Sequence, residues 1–346
     1  MSLNKRLFTG GQLPGATLEN AFSAYIYDGN GSSQSLTGLG FKPDLLWIKQ
    51  RGGDNPHLLM DSSRGAGILL TPNTTANESG NSGNFVGSFD NDGFQVNRNY
   101  LSYTAHDTTN YGVGDAAKYV AWAWRANEGT TSSNSDGNIA STVQVNSAAG
   151  FSIVQFTGSG SNTTVGHGLG AAPDFILMTN RTRNGYGWYV YNSASGPTKN
   201  MVLNTRDGLA TNAAAWNNTA TTATTFSLGT ETGTNSNNYP YIAYCWHSVP
   251  GYSKFGTYTG TGSSGHTIDV GFQPGFVIVR STASSEDWLM FDSARGNNKV
   301  IYANSNAEEA TYNTFGLTST GFELPQWGSS NGNGQTYIYA AWREAT

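Results

Sequence analysis

One phrase recurs three times along the chain. "GLGFKPDLLWIKQR" (38–51), "GLGAAPDFILMTNR" (168–181) and "DVGFQPGFVIVRST" (269–282) align Gly40 with Gly170 and Gly271, and Pro43 with Pro173 and Pro274. After each proline comes an apolar run: "LLWI", "FILM" and "FVIV". Proline fixes φ and lacks an N–H, so it suits the start of a strand, and a short apolar run bounded by Gly and Pro predicts a buried strand. A second anchor lies about 18 residues further on: "LLMDSSRG" (58–65), "YVYNSASG" (189–196) and "LMFDSARG" (289–296). Each unit closes on a third: "YVAWAW" (119–124), "YIAYCW" (241–246) and "YIYAAW" (337–342).

The closing anchors alternate with a period of two. Val120, Trp122 and Trp124 share one face with small residues between them, and Ile242, Tyr244, Trp246 and Ile338, Ala340, Trp342 follow suit. Such alternation predicts strands whose tryptophans enter the core. Upstream of each first anchor an alternating strand ends in a glycine turn: "FSAYIYDGNG", "FSIVQFTGSG" and "KFGTYTGTG". Each unit therefore offers a series of short strands spaced by turn signals, the pattern of an antiparallel sandwich. The expected fold is all-β, with three tandem antiparallel β-sandwich modules, jelly-roll or lectin-like, related by internal repeat. Residues 1–20 read as an arm, 21–126 as the first unit, 127–149 as a loose Ser/Asn/Gly/Thr linker, 150–248 as the second unit and 249–346 as the third. At most one short helix is expected, at 305–313.

The 346 residues are enough for three domains of about 100 residues, each able to bury a core. Charged residues make up 12% of the chain, about half the usual share, and the net charge of −5 contains no basic cluster. Nucleic-acid binding draws on clustered Lys and Arg, so it is not expected. The lone Cys245 excludes an intrachain disulfide. No apolar run approaches a membrane span of about 18 residues, and no apolar h-region follows the N-terminal basic residues, so neither insertion nor signal-directed export is expected.

The repeats also supply an internal control for chemistry. Asp61 and Asp292, each followed three residues later by Arg64 or Arg295, resemble catalytic carboxylates, but the second unit carries Asn192 and Ser195 there. Asp and Asn cap turns equally well, whereas only Asp does acid–base work, so a turn role is expected. "DNDG" (90–93) lacks a Glu at the last calcium-loop position and becomes "TSTG" (318–321) in the third unit, so a hairpin with Gly93 or Gly321 at positive φ is expected instead. His57 aligns with Trp188 and Trp288, and His167 with Thr37 and Ile268. Cys245 aligns with Ala123 and Ala341. The expectation is no catalytic residue, no metal and no cofactor.

Function is better sought in residues peculiar to one unit. Tyr100, Tyr103 and Tyr111 sit in an insertion of the first unit, Trp216 in the second and Trp327 in the third, all among amides and hydroxyls. Aromatic faces with polar neighbours are how neutral ligands such as sugars are held, so these five are the ligand-binding candidates.

The run 135–181, with "GHGLGAAPDFI", and the stretch "VPGYSKFGTYTG" (249–260) resemble a repeat of marine bacteriophage virion structural and tail-fibre-like proteins. The resemblance implies a non-enzymatic virion protein assembled in the host cytoplasm, most simply a tail-fibre or spike subunit presenting a host-binding surface for a glycan or receptor. Its partners would be other virion proteins, and by analogy it would form a homotrimer. Lys5, Arg6, Leu7 and Phe8 of the arm would tether it to the particle. A capsid decoration or tail-hub adaptor is the alternative. A glycan-degrading tailspike has the least support, because no paired carboxylates survive comparison among the units.

Overall fold

The computed structural model of the chain describes residues 18–80, 85–97, 118–312 and 315–344. Among the described residues every pairing between strands is antiparallel, and helix is confined to Leu18–Asn20, Thr232–Asn235 and Gly328–Asn331. No helix forms among the described residues 305–312 of the segment where at most a short one was expected; they run into the short strand Ala310–Thr311.

In each unit four strands form a sheet in the same order. Opening strands are Phe22–Asp28, Phe151–Thr157 and Ser253–Thr259, and closing strands are Lys118–Trp124, Pro240–Trp246 and Thr336–Arg343. Second strands, those after the repeated proline phrase, are Leu45–Gln50, Phe175–Asn180 and Pro274–Ser281. Third strands are Leu58–Asp61, Tyr189–Asn192 and Leu289–Asp292. The order across each sheet is opening, closing, second, third. Register is held too, since Trp124 sits between Phe22 and Leu45, Trp246 between Phe151 and Phe175, and Trp342 between Ser253 and Phe276.

Both faces of these sheets are covered, which is why the second strands are buried at every position rather than at alternate ones. Outward, Tyr119, Ala121 and Ala123 pack with Leu36, Phe94 and Val96 of a smaller sheet built from Gln34–Thr37, Gly93–Val96 and Val86–Asp90. Equivalent outer clusters serve the other two units. Inward, Val120, Trp122 and Trp124 join residues of all three units in one common cluster. At its heart the rings of Trp124, Trp246 and Trp342 lie 5.5–6.0 Å from one another. Three strand ends thus meet in one aromatic contact.

The stretch 127–149, expected as a loose linker, is ordered into strands. Ser132–Asn134 and Ser141–Asn146 form a hairpin that extends the second unit's sheet beyond its opening strand. "STVQVN" alternates, with Val143 buried and Val145 packed against the same cluster, but only two apolar residues carry the period amid a Ser/Asn/Gly composition. Of the turn glycines, Gly93 is at positive φ, 155°, as expected. Gly321 is not at positive φ; it and Gly93 are required because a Cβ at either site would come within 1.9 Å of the neighbouring strand's carbonyl, Ile268 O or Leu36 O.

Candidate functional site

Buried charge gathers where units meet. Asp61 accepts the Arg64 backbone N–H at 2.9 Å and its Nε at 2.6 Å, while Tyr244 of the second unit donates its hydroxyl to the same carboxylate at 2.7 Å. The Arg64 guanidinium lies 3.6 Å from Glu78, and Glu78 takes two hydrogen bonds from Arg181, at 2.8 and 3.0 Å. Burial opposes the charge of Arg64, but Asp61, Tyr244 and Glu78 outweigh it and hold the guanidinium above its ordinary value. The same chain of charges recurs between the third and first units. Asp292 accepts from Arg295 at 2.8 and 2.6 Å and from Trp122 Nε1 at 2.9 Å; Arg295 lies 3.5 Å from Glu309, which takes two bonds from Arg51 at 2.8 and 3.0 Å.

Two carboxylates therefore do what the repeat comparison assigned to them, capping the turn after the third strand. Asn192 caps the corresponding turn through the Ser195 N–H at 3.3 Å. A second set of carboxylates binds backbone at the ends of the sheets. Asp44 accepts from the N–H groups of Ala126, Glu128 and Gly129 and from the Ser62 hydroxyl, and Asp174 from Ser248 N–H and the Ser193 hydroxyl. Burial nonetheless pushes the Asp44 carboxyl up, against the lowering effect of those bonds. The third unit has Gly275 at this place. There Glu344 swings in instead, its Oε2 lying 2.6 Å from where a Cβ on Gly275 would stand. It accepts from Ser293, and across the joint from the Ser23 hydroxyl and Ala24 N–H of the first unit. Sequence alignment by position could not find this substitution, because the carboxylate comes from the other end of the unit.

The histidines are also committed. Trp47 Nε1 donates to His57 Nδ1 at 2.8 Å, so Nε2 carries the proton and donates to Tyr302 O of the third unit at 3.0 Å. Trp188 and Trp288, its equivalents, donate to Thr71 O and Val202 O of the neighbouring unit at 3.2 and 3.3 Å. One N–H per joint is thus supplied by whichever ring occupies the position. Burial holds His57 well below its ordinary pKa and takes His167 down to about 4. Cys245 is fully buried, and burial pushes its thiol up, away from the reactive thiolate. Among the described residues no group of three His, Cys, Asp or Glu side chains is placed to hold a metal ion.

Of the residues singled out from sequence, Lys5, Arg6, Leu7, Phe8, Tyr100, Tyr103 and Tyr111 lie outside the described residues. Trp216 is 1% exposed and meets Tyr191 edge-on at 5.3 Å, so its ring face is in apolar contact rather than in solvent. Trp327 is half-buried and stacks on Tyr312 at 4.6 Å, with Phe315 against it at 5.9 Å. The two are in different units and do not form one site.

The structure draws attention instead to a groove of about 700 Å³ on the second unit. Its walls are the added hairpin, the opening strand and the turn before the closing strand, and its floor includes Gln155 and Arg181. Arg181 Nη1 donates to Gln155 Oε1 at 2.8 Å, and Gln155 Nε2 donates to Ser63 O of the first unit at 3.2 Å, so the joint itself fixes the floor. Tyr239, between lining residues Asn238 and Pro240, is the one exposed aromatic ring among the described residues. The Arg183 guanidinium lies 4.6 Å from its ring centre and 4.7 Å from that of Tyr186. Tyr239 has Gln335 as its counterpart in the third unit, a signal of singularity that the sequence carried.

Neither a curated protein nor a solved structure matches the chain. A match to the family described as Domain of unknown function (DUF7483) covers residues 19–346, a single span that takes in all three units and the joints between them. The chain belongs to the DUF7483 family.

Proposed function

We propose that the protein is a bacteriophage virion structural protein, a tail-fibre or spike subunit that displays a host-binding surface. Its three units are read as jelly-roll or lectin-like sandwich modules derived from one ancestral repeat. The observation that carries this reading is where the ionisable groups go: the buried carboxylates, arginines and His57 tie one unit to the next. Groups so engaged serve cohesion rather than turnover, and the exterior they leave is sparsely charged and rich in hydroxyls and amides. Rigid display of such an exterior suits attachment, where several weak contacts on one particle raise avidity.

The homotrimer belongs to the same proposal, and sedimentation at three times 36.8 kDa checks it. Locating the protein on intact particles with a labelled antibody tests the reading as a whole. Label at the tail tip or fibres is expected; label on the capsid would move the protein to a decoration role, and no label on the particle would overturn the virion reading.

A further inference from the structure

We propose that the groove on the second unit is a binding site for a neutral oligosaccharide, a proposal that rests on the attachment reading above. Its volume of about 700 Å³ falls within the range of small-ligand sites, roughly 300–1,000 Å³. The exposed lining side chains Ser133, Thr142, Thr157, Asn237 and Asn238 are hydroxyls and amides, which both donate and accept and so match sugar hydroxyls. The one charged lining residue, Arg181, is already neutralised by two bonds to Glu78. Among the lining side chains no unpaired cation is left to favour a phosphate or a uronic acid, and the nearby Arg183 guanidinium lies over the rings of Tyr186 and Tyr239. Ile139 and Pro240 add apolar surface of the kind that lies under sugar C–H groups.

The site is peculiar to this unit. Only here does a hairpin extend the sheet past the opening strand, and the opening strands of the other two units end their sheets among the described residues. Beside the groove rather than in its lining, Arg183, Tyr186 and Tyr239 are likewise singular: Gly53 and Ser284 stand at the first position, Asn55 and Glu286 at the second, and Gln335 of the third unit at the last. The turn beside Tyr239 adds a further sign. Asn238 holds φ 64°, a left-handed conformation that the third unit gives to Gly334 at φ 71°. Asparagine tolerates this conformation, so the turn sets a lining amide where the third unit has no side chain.

The test uses the full chain and a panel of neutral tri- to hexasaccharides of glucose, galactose, mannose and N-acetylglucosamine, with sialyllactose and oligogalacturonate as acidic probes, read by saturation-transfer NMR and calorimetry. Binding of a neutral member is expected, weakened about tenfold or more by Asn238→Gly with Tyr239→Gln, the pair found in the third unit. Because that unit folds with those residues, the unfolding midpoint should not move. Trp327→Ala should leave affinity unchanged. The proposal is overturned if no neutral sugar binds, if only acidic probes bind, or if the groove variant binds as the parent does. Failure here and failure of the attachment reading remain separable: a tail-located protein that ignores the neutral panel removes the sugar site alone, and a capsid-located one that binds through the groove removes the attachment role alone.

Discussion

Two of the three joints between units are ionic and the third is not. Asp61, Arg64, Glu78 and Arg181 alternate in sign across the joint of the first and second units, and Asp292, Arg295, Glu309 and Arg51 do so between the third and first. Between the second and third units the same four places hold Asn192, Ser195, Leu209 and Thr282, with no charge among them. The backbone geometry is nevertheless common: Glu78 N–H to Arg181 O, Glu309 N–H to Arg51 O and Leu209 N–H to Thr282 O are bonded at 2.6, 2.8 and 2.8 Å. Even the central donors follow, for Tyr244 and Trp122 face the aspartates while Ala340 stands at the corresponding place. A buried ion whose partner is removed costs far more than an apolar replacement of the whole pair, so such networks should be gained or lost as sets. Four positions changing together are what that argument demands.

The largest effect should come from what the joints share. Trp246→Ala removes a ring that touches Trp124 and Trp342 at once and should cost ~3–5 kcal/mol, nearer the lower end because the indole N–H has no acceptor among the described residues. Urea unfolding measures it, and a loss under about 1 kcal/mol would remove the central contact from the account. Next, Arg64→Ser should cost about 3 kcal/mol by leaving the buried Asp61 without its cation, while Glu78 keeps Arg181. The quadruple change Asp61→Asn, Arg64→Ser, Glu78→Leu and Arg181→Thr, which writes the neutral joint into the ionic one, should cost less than that single substitution. If it costs the sum of its parts, the networks are not sets.

The sequence made the repeat, the strand-forming phrases, the inward tryptophans and the turn-capping aspartates legible, because each rests on local spacing or on a residue type kept at one position. What it hid was contact between units. Nothing near Asp61 names Tyr244, and nothing near Arg51 names Glu309, since those partners come together only when the three sheets close on one another. Glu344 was hidden for the same reason, as a carboxylate that replaces the side chain missing at Gly275 from 69 positions away. The hairpin in 127–149 was lost to composition rather than distance. On the candidate site, Tyr239 also has no aromatic counterpart in the third unit, but it leads into a strand, and a search confined to loops passes it over.

A smaller effect distinguishes the joints by acid. His57 donates across the joint of the third and first units, where the other two joints use Trp188 and Trp288, which do not titrate. His57 faces Lys49 and Arg295, which also disfavour its protonation, and its pKa in the folded state is far below 6.5; His167, near Asp136 and His247, is at about 4. The unfolded chain then binds more protons than the folded one below pH 6.5, so stability is complete above that value and falls as pH drops toward the folded pKa. Each histidine should remove about 1.4 kcal/mol per pH unit in that window. Asp44 and Glu344, held above their ordinary values, titrate in the opposite sense, so the His57 share is read by difference. Trp47→Leu with His57→Trp copies the second unit's Leu177 and Trp188, and unfolding between pH 4.5 and 5.5 should show its slope reduced by about one proton. An unchanged slope would mean that His57 is not the acid-sensitive element of this joint.

The smallest effect should fall on the one ion pair that the neutral joint retains among the described residues. Arg206 meets Asp287 at 3.1 Å, but the two side chains are 57% and 28% exposed. Solvent screens such a pair and ordering two long side chains offsets what attraction remains, so Arg206→Ala should change stability by under about 0.5 kcal/mol. The joint keeps its strength elsewhere, in Leu209 packed against the central cluster and in backbone bonds such as Leu209 to Thr282. Raising salt from 0.05 to 0.5 M, about 14 to 4 Å in screening length, should leave the Arg206→Ala difference at zero within error. A loss above 1 kcal/mol at low salt would instead make charge common to all three joints, buried in two and at the rim in the third, and would replace the division between ionic and neutral joints by a gradient of exposure.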